Sequence, residues 1–434
     1  MNTRELIILV VGVLLIIGAW VAFKPHSTVQ PKPISQAQQI PKETPSTTNT
    51  DNSELSKFYE DFLNEYLKRD PELASDLRLF GKVADPMGDQ LTDASLEGQK
   101  KTNEFLREKL QQLRSFDRSR QSQKQLVATD ILDWYLDDVL RGEAFMLDDY
   151  PVNQVFGVQT ALIALMTDIH AINNSMDAIN YIKRLSKFGT KIDQVLEGLK
   201  VREAKGIIPP KVVVDKVIDS MKGFIGTEAE KNPFYLSFVN KAADVDSISK
   251  EKKEEMAQLV AKEIKDTVYP AYQKLIAYVE SIASKAPMNE VGVWRLPNGD
   301  VYYAYMLRHH TTTDLTPEEV HQLGLKEVAR IQSEMRKLFT ELGIDNKENF
   351  GEMQRAYWGL LQNKPELQYP DTEEGKKEVL ADYLKIIEEA QKKIKDVFDV
   401  IPKTPIKVEA VPKFQEASSP GAFYQPPALD GSRP

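Results

Sequence analysis

The feature that most limits the fold open to this chain is the spacing of its apolar residues. From Leu55 onward they recur close to every 3.6 positions. Side chains at that period stack on one face of an α-helix, so long amphipathic helices are expected, with little sheet. Leu55, Phe58, Tyr59, Phe62 and Tyr66 mark a first helix, and Phe105, Leu106, Leu110 and Leu113 another. The pattern runs through Ile131, Trp134, Tyr135 and Val139 within residues 126–145. It resumes through Ile179, Ile182, Leu185, Ile192, Val195 and Leu199 within residues 176–201. Gly206, Pro209 and Pro210 interrupt the chain before a helix over residues 212–225. Residues 251–284 form one long helical pattern with Pro270 inside it. Proline lacks the backbone donor and crowds the preceding turn, which predicts a kink or break there.

Two helix starts are written out in the sequence. Thr316-Pro317-Glu318-Glu319 offers a capping hydroxyl, a proline at the first helical position and a glutamate three residues after the cap. Val320, Leu323, Val328, Ile331, Met335 and Leu338 follow along one side. Asp371-Thr372-Glu373-Glu374 opens a helix whose buried side is expected to be Val379, Tyr383, Ile386, Ile387, Ala390, Ile394 and Val397. Strand signals are few. Ile406, Val408 and Ala410 alternate with Lys407 and Glu409, which predicts a short half-buried strand near the C-terminus. Asn298-Gly299 is compatible with a hairpin turn, but Asp300 followed by Tyr303, Ala304 and Leu307 favours a helix.

The N-terminus carries a membrane signal. Residues 6–23, LIILVVGVLLIIGAWVAF, are apolar or small without interruption. As a helix they reach roughly 27 Å, close to the hydrocarbon thickness of a bilayer. Arg4 precedes the run and Trp20 sits near its far end, where an interfacial indole is favoured. Residues 1–5 are read as a cytoplasmic N-terminus and 6–23 as an uncleaved single-pass anchor in the cell inner membrane, with the body exported. The alternative is a cleaved signal and a secreted body, for which the Ala19–Ala22 spacing around bulky Trp20 is a poor site. Residues 24–53, with Pro25, Pro31, Pro33, Pro41 and Pro45 among Ser, Thr, Gln and Asn, read as an extended tether. Residues 54–434 form the helical body. Net charge of −9 with a pI near 5.4 argues against nucleic acid as a partner.

Candidate chemistry is sparse. There is no cysteine, which excludes thiol nucleophiles and Cys-ligated metal. The five histidines are His26, His170, His309, His310 and His321. None begins an H-E pair and no two stand at i, i+4, so the helix-borne zinc motif H-E-x-x-H is absent. Glu318 and His321 stand at i, i+3, the spacing of carboxylate-bridged metals in bundles. Such sites need two such pairs, and one is present, so a cap carboxylate beside a helical histidine is the plainer reading. His309-His310 followed by three threonines reads as a loop or as the lining of a substrate groove. No G-x-S-x-G, phosphate loop or G-x-G-x-x-G occurs. The terminal stretch ASSPGAFYQPPALDGSRP, with Phe423 and Tyr424, reads as a surface loop or as an edge able to pair with an extended peptide.

Three stretches taken together, GIIPPKVVVDKV, GDVYYAYMLRHHTTTDLTPEEVHQLGLKEVARI and PGAFYQPPALDGSRP, resemble the bacterial domain of unknown function 885 family. The resemblance runs from about Leu55 to Pro434. It implies a mainly α fold, a large helical domain like the N-terminal part of helical zinc metallopeptidases of the gluzincin type. It also implies an exported or lipoprotein-linked protein. The family's zinc helix carries H-E-x-x-P-G-H with a further glutamate downstream, both after the segment that here is PGAFYQPPALDGSRP. No position of this chain matches those ligands, so the resemblance covers an N-terminal part, incomplete at its C-terminus and truncated before the zinc motif. No catalytic or metal residue carries over, and zinc is expected only for a complete family member. What carries over is groove lining: Tyr302, Tyr303, His309, His310, His321, Phe423 and Tyr424. The expected function is that of a membrane-tethered, exported member of a zinc-metallopeptidase-like family, inactive as this chain. The alternative is a non-enzymatic helical binding protein at the membrane. Expected partners are the membrane, through the N-terminal helix, and a peptide substrate or a missing C-terminal portion.

Overall fold

The computed structural model describes residues 50–78, 85–289, 291–345, 349–364, 369–398, 401, 404–410, 424 and 427. The apolar run 6–23, most of the tether and Phe423 lie outside these residues. Among the described residues no helix is long and apolar enough to cross a membrane. The chain divides into two compact units, one extending to Thr311 and one from Thr312.

The first unit begins with α1 (Ser53–Leu67), α2 (Pro71–Leu77), α3 (Leu96–Arg114) and α4 (Gln123–Arg141). The expected apolar stripes of α1, α3 and α4 meet in one core that includes Leu55, Phe58, Phe62, Leu106, Leu113 and Leu132. Their starts are tied together by polar groups. Asn52 Oδ1 accepts from the backbone N–H groups of Glu54 and Leu55. Ser122 and Gln125 form a reciprocal capping box at α4. The Gln125 side-chain amide also exchanges hydrogen bonds with the Asn52 backbone, 2.8 Å in each direction. One glutamine therefore holds the first turns of two helices in register.

A larger core is built by α5 (Val158–Ala164), α6 (Ser175–Leu185), α7 (Phe188–Ala204), α8 (Lys211–Ile225), α9 (Pro233–Ala243), α10 (Lys250–Glu263) and α11 (Tyr269–Ile282). Tyr181, Phe188, Phe234, Phe238 and Tyr272 are fully buried in it. The single pattern over residues 176–201 is split between α6 and α7, with a break at Ser186 and Lys187. Pro270 is accommodated by a wide π-turn over Ile264–Val268, closed by the Tyr269 N–H on the Ile264 carbonyl. The wider turn absorbs the missing donor, so the helical path continues where a break is also open to it.

Arg184 is enclosed within this core. Its guanidinium donates to the Gln90 and Met87 carbonyls, to Ser75 Oγ and to His170 Nδ1 at 3.0 Å. A guanidinium only donates, so His170 Nδ1 accepts and Nε2 carries the proton, donated to the Asp177 carbonyl at 3.1 Å. Burial, then the adjacent Arg184 charge, hold the His170 pKa well below the usual imidazole value. Lys241 Nζ, bonded to the Met166 and His170 carbonyls, is pushed down to about 7 by burial.

The first unit ends in α12 (Gly299–Thr311), preceded by a short 3-10 turn at Val293–Arg295. The helix favoured for this stretch is present. Asp300 lies in its first turn rather than at its cap, because the Tyr302 N–H already bonds to the Asn298 carbonyl. His309 and His310 belong to the last turn of this helix and not to a loop. Thr312, a β-branched residue at φ +54°, terminates it.

The second unit contains α13 (Pro317–Glu341), α14 (Phe350–Gln362) and α15 (Glu373–Ile394). The Thr316–Glu319 capping box forms as its sequence predicts. Thr372 Oγ1 accepts from the Gly375 N–H at the start of α15. The core of this unit is a small cluster of Phe339, Ile344 and Met353. The expected buried side of α15 is not buried: Tyr383, Ile386 and Val397 are 56%, 62% and 75% exposed. Helical period identifies an apolar face but not whether anything covers it. The expected strand at Ile406, Val408 and Ala410 is also absent, since residues 404–410 make no strand pairing among the described residues. Alternation suits one face of a sheet, but only a neighbouring strand supplies the ladder.

Candidate functional site

Asp138 on α4 is 1% exposed, although it follows another aspartate on a helix with a solvent face. It lies four residues after Trp134 and three after Tyr135, so it shares their inward side, whereas Asp137 turns outward. Helix α12 supplies its partners. Arg308 Nη1 lies 2.5 Å from Asp138 Oδ1, and His309 Nδ1 lies 2.6 Å from Oδ2. Tyr305 Oη, one turn earlier, donates to the Asp138 main-chain carbonyl at 3.2 Å. Tyr305, Arg308 and His309 stand at i, i+3 and i+4, the spacing that places three side chains on one helical face. Arg308 also occupies the last turn, where positive charge suits the helix dipole.

The carboxylate orients the imidazole. Asp138 accepts from His309 Nδ1, which leaves Nε2 as the ring's basic atom when it is neutral. Arg308 is held from a second side by the indole of Trp134, with its guanidinium carbon 5.2 Å from the ring centroid. Tyr305 packs on Phe145 with centroids 5.2 Å apart, and Tyr302 packs on the same ring at 5.6 Å. Burial, then the negative charge of Asp138, push the Tyr305 phenol up to about 12, so it stays a donor at neutral pH. Tyr302 is raised by burial and by Asp149 and Asp148. Gly142 makes room for Tyr305, since a Cβ there would overlap the phenol.

Of the groove candidates read from the sequence, Tyr302 and His309 join this constellation. His310 stands edge-on to His309, 5.0 Å between centroids and 77° apart, as neighbours on a helix must. Burial, then the His309 ring, lower its pKa, with Asp138 opposing. Tyr303 is 51% exposed and Tyr424 is 66% exposed. His321 and Glu318 are exposed on α13, in the other unit, and Glu318 accepts from Gln322 at 2.7 Å. Phe423 lies outside the described residues. Sequence reasoning missed Asp138, Tyr305 and Arg308.

The donors present do not fit zinc. Both oxygens of Asp138 accept from cationic or imidazole donors, and a dication there would face the Arg308 guanidinium. Among the described residues no group of three or more His, Asp or Glu is arranged to hold a metal ion. What the arrangement can do is hold an imidazole in one tautomer and a guanidinium in one orientation beside two tyrosines.

The chain matches, over residues 71–434, the family described as "Bacterial protein of unknown function (DUF885)". It is similar to the crystal structure of a candidate lipoprotein from Colwellia psychrerythraea, with 26% identity and a TM-score of 0.78 over 88% of this chain and 66% of that one. A candidate lipoprotein of unknown function from Shewanella oneidensis is similar at 14% identity and a TM-score of 0.53, over 83% of this chain and 61% of that one. The second likeness is one of fold alone. The chain thus spans just under two thirds of the length of either solved relative. No curated protein matches it.

Proposed function

We propose that this chain, which belongs to the DUF885 family, is the exported, membrane-held helical body of a zinc-metallopeptidase-like lineage and does not itself catalyse zinc-dependent hydrolysis. The observation that carries this reading is the donor set. A catalytic zinc takes three protein ligands and leaves a fourth position for water. This sequence has no H-E pair and no histidines at i, i+4. Its histidine in the candidate site, His309, shares its carboxylate with Arg308. On this reading the zinc-bearing portion of a complete family member is not in this chain. Tyr302, Tyr305 and His309 then serve to position a substrate, with a peptide as the class that the family resemblance suggests. Membrane attachment rests on residues 6–23, long and apolar enough to insert. The description of the Colwellia relative as a lipoprotein suits an exported body held at a membrane, or one released after signal cleavage.

A second reading, a non-enzymatic interaction protein, is favoured by the second unit. Leu323, Val328, Trp358, Tyr383, Ile386 and Val397 are all at least 52% exposed, against a core cluster of three buried residues. Exposed apolar side chains that gather into one patch mark contact surfaces. The occupant we assign is a polypeptide segment equivalent to the part of the Colwellia structure that this chain does not span. A peptidase assay on the purified protein with added zinc, beside a variant carrying His309→Ala, His310→Ala and His321→Ala, tests the first reading. No turnover above background is expected from either. Zinc-dependent cleavage that the triple variant abolishes overturns it.

A further inference from the structure

Three loops of the first unit, around residues 146–157, 205–211 and 286–296, are fastened together. The Lys211 N–H donates to the Pro287 carbonyl at 2.9 Å, and Arg295 donates to the Ile208 carbonyl. Arg202, at the end of α7, donates from Nε to the Asp149 carbonyl at 3.2 Å and from Nη2 to the Met146 carbonyl at 2.8 Å. Beneath the loops, Val152, Ile208 and Ala286 join the larger core. Their outer side chains are of the opposite kind to what water favours. Phe156 is 87% exposed, Met288 77% and Trp294 74%, and Val212, one residue beyond the second loop, is 59% exposed. One exposed apolar side chain needs no explanation, but several on loops bonded to one another do.

Two of these tips are held outward by their own loops. Asn153 Oδ1 accepts from the Val155 and Phe156 N–H groups at 3.0 and 2.8 Å, and its Nδ2 donates to the Tyr150 carbonyl at 3.0 Å. A Cβ at Gly292 would overlap the Trp294 indole, so the ring lies against bare backbone. The charges nearby are matched: Lys211 pairs with Asp215, Lys285 with Glu203 and Arg202 with Asp149. With these charges paired, apolar partition rather than attraction to anionic lipid would drive contact with a bilayer. The chain also brings a bilayer within reach. Residues 24–49 link the apolar run 6–23 to the described body, and a polar chain of that length spans roughly 25–30 Å on average. The link ends beside the start of α4, where Gln125 bonds the Asn52 backbone. The other end of α4, roughly 28 Å away along the helix, leads into the first of the three loops.

We propose that these loops dip into the surface of a zwitterionic bilayer, with Phe156, Met288 and Trp294 as the inserted side chains. An indole is favoured at the headgroup level, and phenylalanine and methionine gain from the acyl chains just below it. The contact need not be strong by itself, because a tether turns it into an intramolecular event with a high effective concentration. It gives the body a second point of attachment and a fixed face toward the membrane. The inference rests on the membrane-held reading of residues 6–23, and Trp20 within that run allows the two to be tested apart.

The test is tryptophan fluorescence of the full-length protein reconstituted into vesicles of phosphatidylcholine brominated on its acyl chains, against unbrominated vesicles. Trp294→Phe and Trp20→Phe variants assign the quenching to the loop and to the apolar run. Emission lost in the native protein and not in Trp294→Phe is expected. An interfacial side chain sits about 5–10 Å into the headgroup–acyl boundary, so bromine high on the chain should quench Trp294 more than bromine near the methyl end. Phe156→Ser and Met288→Ser replace exposed side chains and should fold normally, confirmed by circular dichroism, while reducing the quenching of Trp294. Trp294 left unquenched while Trp20 is quenched overturns the proposal and leaves the anchor standing. Neither quenched overturns both, and Trp294 quenched without Trp20 supports the loops and removes the anchor. Trp294 already shielded from aqueous iodide without lipid would mean that polypeptide covers it, and that too overturns the proposal.

Discussion

Asp138→Asn keeps the shape of the side chain and removes the charge shared by Arg308 and His309. The Asp138 side chain is 1% exposed, that of Arg308 21% and that of His309 40%. Breaking a fully buried ion pair by removing one partner costs about 3–5 kcal/mol, because the other charge stays desolvated. An exposed pair contributes about 1 kcal/mol or less. With one partner enclosed and the others near the rim, a loss of about 2 kcal/mol is expected, between these limits. For a unit of this size that is a fall in Tm of roughly 4–8 °C. Thermal unfolding followed by circular dichroism measures it, and hydrogen exchange at α4 and α12 shows whether the loss is local. The double variant Asp138→Leu with Arg308→Met should be more stable than Asp138→Leu alone, since it also removes the partly buried charge that Asp138 balanced. A Tm for Asp138→Asn within about 1 °C of the native value would refute the reasoning and make the pair a surface contact.

Other perturbations follow from the same geometry. Gly142→Ala should destabilise by about 1–3 kcal/mol despite alanine's helix propensity, because the new methyl displaces the rigid Tyr305 ring; a more stable variant in urea unfolding would contradict this. His170 and Lys241 both have depressed folded-state pKa values, so the unfolded chain binds more protons than the folded one. Stability should rise with pH between about 7 and the unfolded lysine value near 10.4, and fall below about pH 6.5 as the unfolded imidazole protonates. Urea midpoints across this range check the sign, and a midpoint that falls as pH rises would reverse it. Ile386→Glu on the open face of α15 should leave stability within about 0.5 kcal/mol and reduce self-association and apolar dye binding. A large loss of stability would mean that face is covered within the chain.

Helix content and several boundaries were legible because they are local. The Thr316–Glu319 box, the start at Thr372 and the stripes of α1, α3 and α4 depend on residues within a few turns of one another. The fate of α15 was not legible, since its 3.6 period is the same whether or not a partner covers Tyr383 and Ile386. The strand at residues 406–410 failed for a related reason, as alternation says nothing about a neighbour. Asp138 escaped notice because its partners Arg308 and His309 lie 170 and 171 residues away. A faint signal was available. Asp138 is in phase with Trp134, Tyr135 and Ile131, where a carboxylate has no place unless something positive reaches it. The two neighbouring histidines likewise read as a loop because nothing local shows that α12 continues to Thr311.

The central claim, a helical body of this family without a catalytic zinc of its own, is tested most directly by metal stoichiometry. The full-length protein, purified without chelators and equilibrated with zinc at neutral pH, would be dialysed and analysed for zinc per chain by elemental analysis. The account predicts far less than one zinc per chain, unchanged in the variant lacking His309, His310 and His321. One tightly held zinc per chain, lost in that variant, would contradict it and place a metal centre on those histidines.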